Sequence, residues 1–525
     1  MVYTARNMLV QRRNPLGSSL LVFAFWKLFT RESISLSIRS WLADPEGLAL
    51  LLLVLHVVIG AIAVAYISAR RRPATAIAWM LTIIFIPYVG IVAFMLVGFT
   101  RLPKARRDKQ KHVNEMILAR TEGLDQLSHR DDWPKGLSTL VTLNNNLGAL
   151  PMVGGNDVEL LPDYHGSIAA MAREIDTATD YVHVEFYILV DDDVTRPFFD
   201  ALERACRRGV TVRVLSDHLA ALMNPGRKET LTRLAAMGAE YHAMLPLRPW
   251  KGNWQRVDLR NHRKLLVVDG RVGFAGSQNM VNESYNKKKN IARGLRWHEL
   301  MMRVHGPVVR ELDAVFVTDW FSETDVLLEL DTSPVVLNPA EHLVDAQVVP
   351  SGPSFENDNS LKLFVSMIHQ ATERVSITSP YFVPEDSVLL AIIAAAGRGL
   401  SVELFVSEIG DQAMVYHAQR SYYEALLRAG VKIYLYKSPE VLHSKHFSID
   451  SDVAVIGSSN MDIRSFALNM EISVLIHSAS FVAQMRDVED GYRSNSRDLR
   501  LEDWIKRPRW EKFWDSAARL TSNLQ

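Results

Sequence analysis

The residues best suited to chemistry stand in two matching sets. His262, Lys264 and Asp269 are followed by Gly276, Ser277 and Asn279, and His443, Lys445 and Asp450 by Gly457, Ser458 and Asn460. Both sets read H-x-K-x4-D-x6-G-S-x-N, and matched positions lie 181 apart. Each set offers an imidazole, an ammonium, a hydroxyl and an amide. Brought together across a pseudo-two-fold axis, they line one pocket with hydrogen-bond donors. Lys264, Lys445, Asn279 and Asn460 suit a phosphoryl group, whose charge spreads over its oxygens in the transition state. Two histidines suit covalent catalysis, one attacking phosphorus while the other protonates the leaving oxygen and then activates the acceptor. The halves are nearly equivalent; His262 is assigned as nucleophile and His443 as acid and base.

Ser277, Asn279, Ser458 and Asn460 are assigned to phosphate binding and support. Asp269 and Asp450 are counted with the catalytic set, although orienting the local hairpin suits them better than general-base work. Glu471 lies 28 positions after His443 and is expected to hold the second imidazole in its correct tautomer, as carboxylates do for catalytic histidines. Glu299, in RWHELMMRV, is its counterpart in the first half, reached after an insertion containing NKKKN. This chemistry needs no metal or other cofactor: ammonium groups are not ligands, and Asp and His do not cluster at ligand spacing.

The elements that must position these groups follow from alternation. In an extended segment every second residue faces one way, so His262 shares a face with Lys264 and His443 with Lys445. LLVVD and the run ending VGFAGS read as two strands joined by a short turn, as do HFSID and VAVIGS. Around them the grammar is strand, helix, glycine, strand. Gly209 and Gly399, 190 apart, and Gly238 and Gly430, 192 apart, close corresponding helices. The soluble part is therefore expected to be one α/β domain written twice, a mixed sheet flanked by helices in each copy.

Composition bounds the rest. The chain has 525 residues, 59 basic and 59 acidic side chains, 48% hydrophobic residues and 22% charged residues. This excludes a disordered chain and predicts two to three domains. Zero formal net charge argues against a protein that coats nucleic acid. The single Cys206 excludes an internal disulfide framework and reads as a packing residue.

Two long apolar runs stand near the N-terminus, Gly47 to Ser68 and Ala76 to Phe99. Each is long enough to cross about 30 Å of hydrocarbon, which predicts a two-helix transmembrane hairpin. Pro87 and Gly90, within the second run, are tolerated in lipid. Arg70, Arg71 and Arg72 lie between the runs. The flanks carry more: Arg6, Arg12, Arg13, Lys27, Arg31 and Arg39 before, and Arg101, Lys104, Arg106, Arg107, Lys109 and Lys111 after. The positive-inside rule then places the long C-terminal part in the cytoplasm. Ser19 to Trp26 is expected to lie along the membrane surface. The resulting division is an interfacial segment over 1–46, the hairpin over 47–99, a basic linker over 100–150, and catalytic domains over 151–335 and 336–525.

The paired motifs resemble the phospholipase D superfamily. RRPATAIAWMLTIIFIPYVGIVAFMLVG, HVEFYILVDD, NHRKLLVVDGRVGFAGSQN, SPYFVPEDSVLLAI and IGSSNMDIRSFALNMEI resemble its bacterial cardiolipin synthases. The resemblance implies a phosphatidyltransferase of the cytoplasmic membrane, multi-pass with cytoplasmic catalytic domains. It implies that two phosphatidylglycerol molecules give cardiolipin and glycerol through a metal-independent phosphohistidine. It carries the two motif sets and Glu471 over as site residues. One departure concerns the family's Asp-x-His after the first motif, where this chain has Glu299 and Met301. Lys287, Lys288 and Lys289 suit either a solvated loop or contact with anionic head groups. Tyr187, Tyr381 and Phe382 suit either pocket or core; His298, His305, His417 and His446 suit ordinary polar packing. A hydrolytic phospholipase D is the alternative function. A nuclease is disfavoured by charge and hairpin, and an inactive binding protein by the two intact motifs. A homo-oligomer is compatible with the hairpin.

Overall fold

The computed structural model describes residues 44–68, 73–98, 104–120, 128–247, 256–329, 344–353, 355 and 358–521. The surface segment expected at Ser19 to Trp26 and the arginines 70–72 lie outside them. The described residues fall into two units, divided after Gly98.

In the N-terminal unit, Pro45–Ser68 forms a 24-residue helix with two polar side chains, Glu46 and His56, before its final turn. It spans about 36 Å and is long and apolar enough to cross a bilayer. The second apolar run departs from the expected straight span. It forms two helices, Pro73–Phe85 and Pro87–Val97, of 13 and 11 residues. Between them Ile86 leaves the helical region (φ −133°, ψ 65°), and Pro87 has no N–H with which to continue the ladder. The arms double back on each other. The Trp79 and Phe94 rings meet edge-on at 5.2 Å, and a Cβ on Gly90 would touch the Thr82 carbonyl at 2.8 Å. Each arm is about 16–20 Å long, short of a bilayer core.

The catalytic unit is built on strands. The first half contributes β1 (Val153–Leu161), β2 (Tyr181–Phe186), β3 (Thr211–Asp217), β4 (Glu240–Met244), β5 (Lys264–Val268), β6 (Val272–Gly276), β7 (Arg296–His298) and β8 (Met301–His305). The second contributes β9 (Val344–Ser351), β10 (Arg374–Thr378), β11 (Ser401–Ser407), β12 (Lys432–Tyr436), β13 (Glu440–Leu442), β14 (His446–Ile449), β15 (Val453–Gly457), β16 (Glu471–His477) and β17 (Ser496–Asp498).

Among the described residues, 15 strands form one sheet, ordered β17-β12-β11-β10-β14-β15-β16-β9-β1-β8-β6-β5-β2-β3-β4. The order β9-β16-β15-β14-β10-β11-β12 mirrors β1-β8-β6-β5-β2-β3-β4, and β17 adds one edge. The duplication read from the motifs is thus a two-fold in the strand order. The halves are not separate beads, because antiparallel pairing of β1 with β9 joins them. Alternation explains why these strands are apolar throughout. Leu265 and Val267 face a central core shared by both halves, whereas Leu266 and Val268 face a core of the first half alone. The helix Val308–Thr324, from one half, and Ala479–Ser494, from the other, both pack into the central core. Gly209 and Gly399 take φ of +87° and +90° where helix gives way to strand, a conformation costly to residues with a Cβ.

The stretch expected as a linker is more ordered than its charge suggests. It contains the helices Lys104–Arg120 and Leu137–Asn146. The latter inserts Leu137, Leu140 and Val141 into the second half's core, although it precedes the first half in sequence.

Candidate active site

The hairpin geometry brings each serine to a carboxylate. β5 and β6 pair antiparallel, and β6 pairs with β8 so that Gly276 faces Met301. Ser277 then lies beside Leu300: its N–H donates to the Leu300 carbonyl (2.9 Å) and its Oγ accepts from the Leu300 N–H (2.9 Å). The hydroxyl proton goes to Oε2 of Glu299 at 2.6 Å. The second half repeats this with Ser458, Ile472 and Glu471, the hydroxyl donating to Glu471 Oε2 at 2.6 Å. Glycine precedes each serine for a steric reason. A Cβ on Gly276 would collide with the Leu300 carbonyl, and one on Gly457 with that of Ile472.

The histidines are exchanged between halves. Nδ1 of His262 lies 3.0 Å from both Glu471 oxygens, and Nδ1 of His443 lies 2.7 Å from Oε1 of Glu299. This corrects the expectation that each glutamate serves the histidine of its own half. The cause is backbone pairing across the two-fold. Asn261 bridges in parallel to Met470, and the His262 N–H donates to the Met470 carbonyl at 2.8 Å. On the other side β13 runs parallel to β7, and the His443 N–H donates to the His298 carbonyl at 2.7 Å. With Nδ1–H committed to a carboxylate, Nε2 of each ring carries the lone pair; at His443 the Lys445 Nζ lies 3.3 Å from it.

Both lysines are buried and fold back on their own strands, Lys264 Nζ donating to the His262 carbonyl and Lys445 Nζ to the His443 carbonyl, each at 2.6 Å. Burial pushes Lys445 down to about 8 and Lys264 well below the ordinary lysine range. Burial, reinforced by Lys264 and Lys445, also holds His262 well below its usual value. The carboxylates diverge. Burial raises Glu471 to about 7, whereas at Glu299 the effect of burial is outweighed by His443, Lys445 and Ser277, so its pKa falls. His443 is lowered by burial and partly restored by Glu299.

Asp269 and Asp450, expected in the catalytic set, fasten backbone instead. Asp269 accepts from the N–H groups of Thr179, Asp180 and Tyr181 and from the Thr179 hydroxyl at 2.9–3.0 Å, fastening the start of β2. Asp450 does the same for Thr372, Glu373 and Arg374 before β10. Both occupy a left-handed turn at φ +50°. Five residues of extended chain put Asp269 about 16 Å beyond Lys264.

The two asparagines differ. Asn279 donates to the Tyr285 hydroxyl (2.9 Å) and accepts from the Ile188 N–H (3.3 Å). Buried Asn460 has no hydrogen-bond partner for Oδ1 among the described residues. Tyr285 carries no motif signal: its hydroxyl also donates to Glu299 (3.3 Å), yet it stands immediately before NKKKN, in an insertion that the second half does not repeat. Arg263 was missed too. Lying between His262 and Lys264, it points to the opposite face, where it donates to the Glu471 carbonyl (3.0 Å) and pairs with Asp319. Alternation along the strand was the available signal.

Tyr187 meets the His262 ring edge-on at 4.9 Å and Tyr381 meets that of His443 at 5.9 Å, so both flank the site; Phe382 is core. Lys287, Lys288 and Lys289 are exposed. Of the histidines expected in ordinary polar packing, His417 pairs with Asp515, and His446 is buried 3.6 Å from Glu489.

Two imidazoles with carboxylate partners, two lysines and a two-fold built from one repeated unit define a phosphodiester-transfer centre of the phospholipase D type. The family model described as "Cardiolipin synthase, PLD-like domain" matches residues 171–320 and 364–489, and the chain belongs to that family. Cardiolipin synthase A of Pectobacterium carotovorum is 31% identical over 453 residues, 85% of this chain and 91% of that protein. Cardiolipin synthase A of Yersinia pseudotuberculosis is 32% identical over 461 residues, 87% and 94% of the two chains. The crystal structure of phosphatidylserine synthase from Haemophilus influenzae shares the fold, with a TM-score of 0.56, 14% identity, and coverage of 74% of this chain and all of that one.

Proposed function

We propose that the protein synthesises cardiolipin from two molecules of phosphatidylglycerol, releasing glycerol. The observation that carries the reading is the crossed pairing of two buried histidines with two buried glutamates, beside two lysines, within the cardiolipin synthase family. His262 Nε2 attacks phosphorus of the first lipid, and the bond from phosphorus to the glycerol oxygen breaks. That oxygen takes a proton from His443. The hydroxyl of the second lipid returns a proton to His443 and attacks phosphorus, breaking the bond to His262. Lys264, Lys445, Asn279 and Asn460 hold the phosphoryl oxygens. The asymmetry of the carboxylates supports these roles. Glu299 partly offsets the burial that lowers His443, as suits an acid, while burial, reinforced by Lys264 and Lys445, lowers His262 further, as suits a nucleophile.

The N-terminal unit serves as the membrane anchor. Pro45–Ser68 crosses the bilayer, and the folded-back pair Pro73–Val97 supports a re-entrant loop over the second span suggested by composition. Arg70, Arg71 and Arg72 then share a side with the basic residues after Phe99, so the positive-inside rule keeps the catalytic unit cytoplasmic. A cysteine introduced at Ser19 and reacted with an impermeant thiol reagent tests this. Labelling from outside the cytoplasmic membrane supports one crossing, and protection there supports two.

Product analysis tests the activity. Purified protein given phosphatidylglycerol bilayers should release one glycerol per cardiolipin formed. Phosphatidic acid as the sole lipid product would favour the hydrolase.

A further inference from the structure

The catalytic unit ends in an 11-residue helix, Arg509–Arg519, whose two faces differ sharply. The inner face is satisfied by protein. Asp515 accepts from Arg507 (2.7 Å) and His417 (2.8 Å), Glu511 accepts from Arg420 (2.6 Å), and Ala518 is buried. The outer face carries Trp510, Phe513 and Trp514, spaced i, i+3 and i+4, with relative exposures of 63%, 66% and 56%. Ile505 and Leu520 extend this apolar face at either end and are also exposed. Arg509 is exposed beside it, and Lys506 lies 3.9 Å from the exposed Asp503; Arg519 lies over the Tyr422 ring on the side away from the aromatics, and both acidic residues of the helix itself turn inward.

We propose that this face is a membrane-docking surface that lies in the head-group region of an anionic bilayer. Large aromatic side chains on one side of a short helix, edged by cations, match the interfacial layer, where amphipathic rings sit at head-group depth and cations meet anionic phosphates. The charge distribution selects the bilayer over a second copy of the chain. A symmetric pairing of two such faces would set their cationic edges against each other, whereas an anionic leaflet complements them. The inference rests on the anionic-lipid substrate proposed above, and adds a contact with that lipid outside the catalytic pocket.

The test uses the full chain in proteoliposomes containing phosphatidylglycerol, with Cys206→Ser to remove the one native thiol. An environment-sensitive fluorophore is attached through Phe513→Cys, or through Ser516→Cys as a reference. At Phe513 the label should be quenched by spin-labelled lipid and shielded from aqueous iodide several-fold more than at Ser516, at every protein density. Equal access of iodide to both labels would overturn the proposal. Shielding that grows with protein density, without quenching by spin-labelled lipid, would assign the face to a second copy and also overturn it. In parallel, the triple variant Trp510→Ser, Phe513→Ser, Trp514→Ser should need a several-fold higher surface fraction of phosphatidylglycerol for half-maximal rate, with the maximal rate kept. An unchanged half-saturating fraction would count against docking. Failure of unmodified protein to form cardiolipin would instead reject the activity, whatever the labels report.

Discussion

Glu471 accepts the Nδ1–H of His262, a residue 209 positions earlier and in the opposite half of the molecule. Glu299 is likewise committed to His443 across the two-fold. Neither half therefore contains a complete nucleophile or a complete acid. The shared sheet and the central core hold the halves in the register that this exchange requires.

The crossing predicts which step each glutamate controls. With a phosphatidyl donor whose leaving group is p-nitrophenol, no acid is needed for departure. Glu471→Gln should then slow the burst of p-nitrophenol by about 10³-fold, because His262 loses its orienting carboxylate. Glu299→Gln should leave the burst intact and slow the transfer that follows. The opposite pattern would mean that each carboxylate serves its own half.

A second expectation concerns the serines. Ser277 and Ser458 donate to the outer oxygens of Glu299 and Glu471 at 2.6 Å, so they act through the carboxylates. Ser277→Ala and Ser458→Ala should each cost about 10- to 100-fold in kcat, the usual penalty for removing a residue that orients a catalytic partner. Thermal unfolding should move little. Activity equal to the unsubstituted protein would show that the backbone alone fixes the glutamates.

Asp269 should behave as a structural residue. Asp269→Ala leaves three N–H groups at the start of β2 without their acceptor, a loss of about 2 kcal/mol in stability. Those backbone donors outweigh the upward effect of burial and hold the carboxylate below its ordinary pKa. The stabilisation is thus present above the unfolded value of about 4 and fades as pH falls through the native one. Denaturant titrations should show a deficit at neutral pH that narrows in acid. The kcat of the folded fraction should be unchanged; its loss would return Asp269 to the chemistry.

Much of this was legible in the chain. The repeated spacing located both histidines, both lysines and both serines, because a hairpin of fixed register converts sequence distance into geometry. The doubled strand order was visible for the same reason. What sequence distance could not convey is which half a side chain reaches into. Glu471 is nearer to His443 in sequence, yet the parallel bridge between Asn261 and Met470 delivers it to His262. Tyr285 was hidden because it belongs to an unrepeated insertion. In the second apolar run, composition reports solubility in lipid but not the turn that Ile86 and Pro87 impose.

The pH dependence follows from two buried groups. Burial lifts Glu471 to about 7 and lowers Lys445 to about 8. Below about 7 Glu471 takes up a proton and ceases to be the anionic partner of His262, so kcat/KM should rise as pH climbs through that value. Above about 8 Lys445 loses its charge and with it the attraction for the phosphodiester, so kcat/KM should fall. Because kcat/KM reports the free enzyme, both limbs belong to the protein before lipid binds. Lys445→Arg separates the two effects. A guanidinium stays charged throughout this range, so the alkaline limb should disappear while the acid limb stays near 7, even if the overall rate drops. An alkaline limb that persists near 8 in this variant would assign it to a different group.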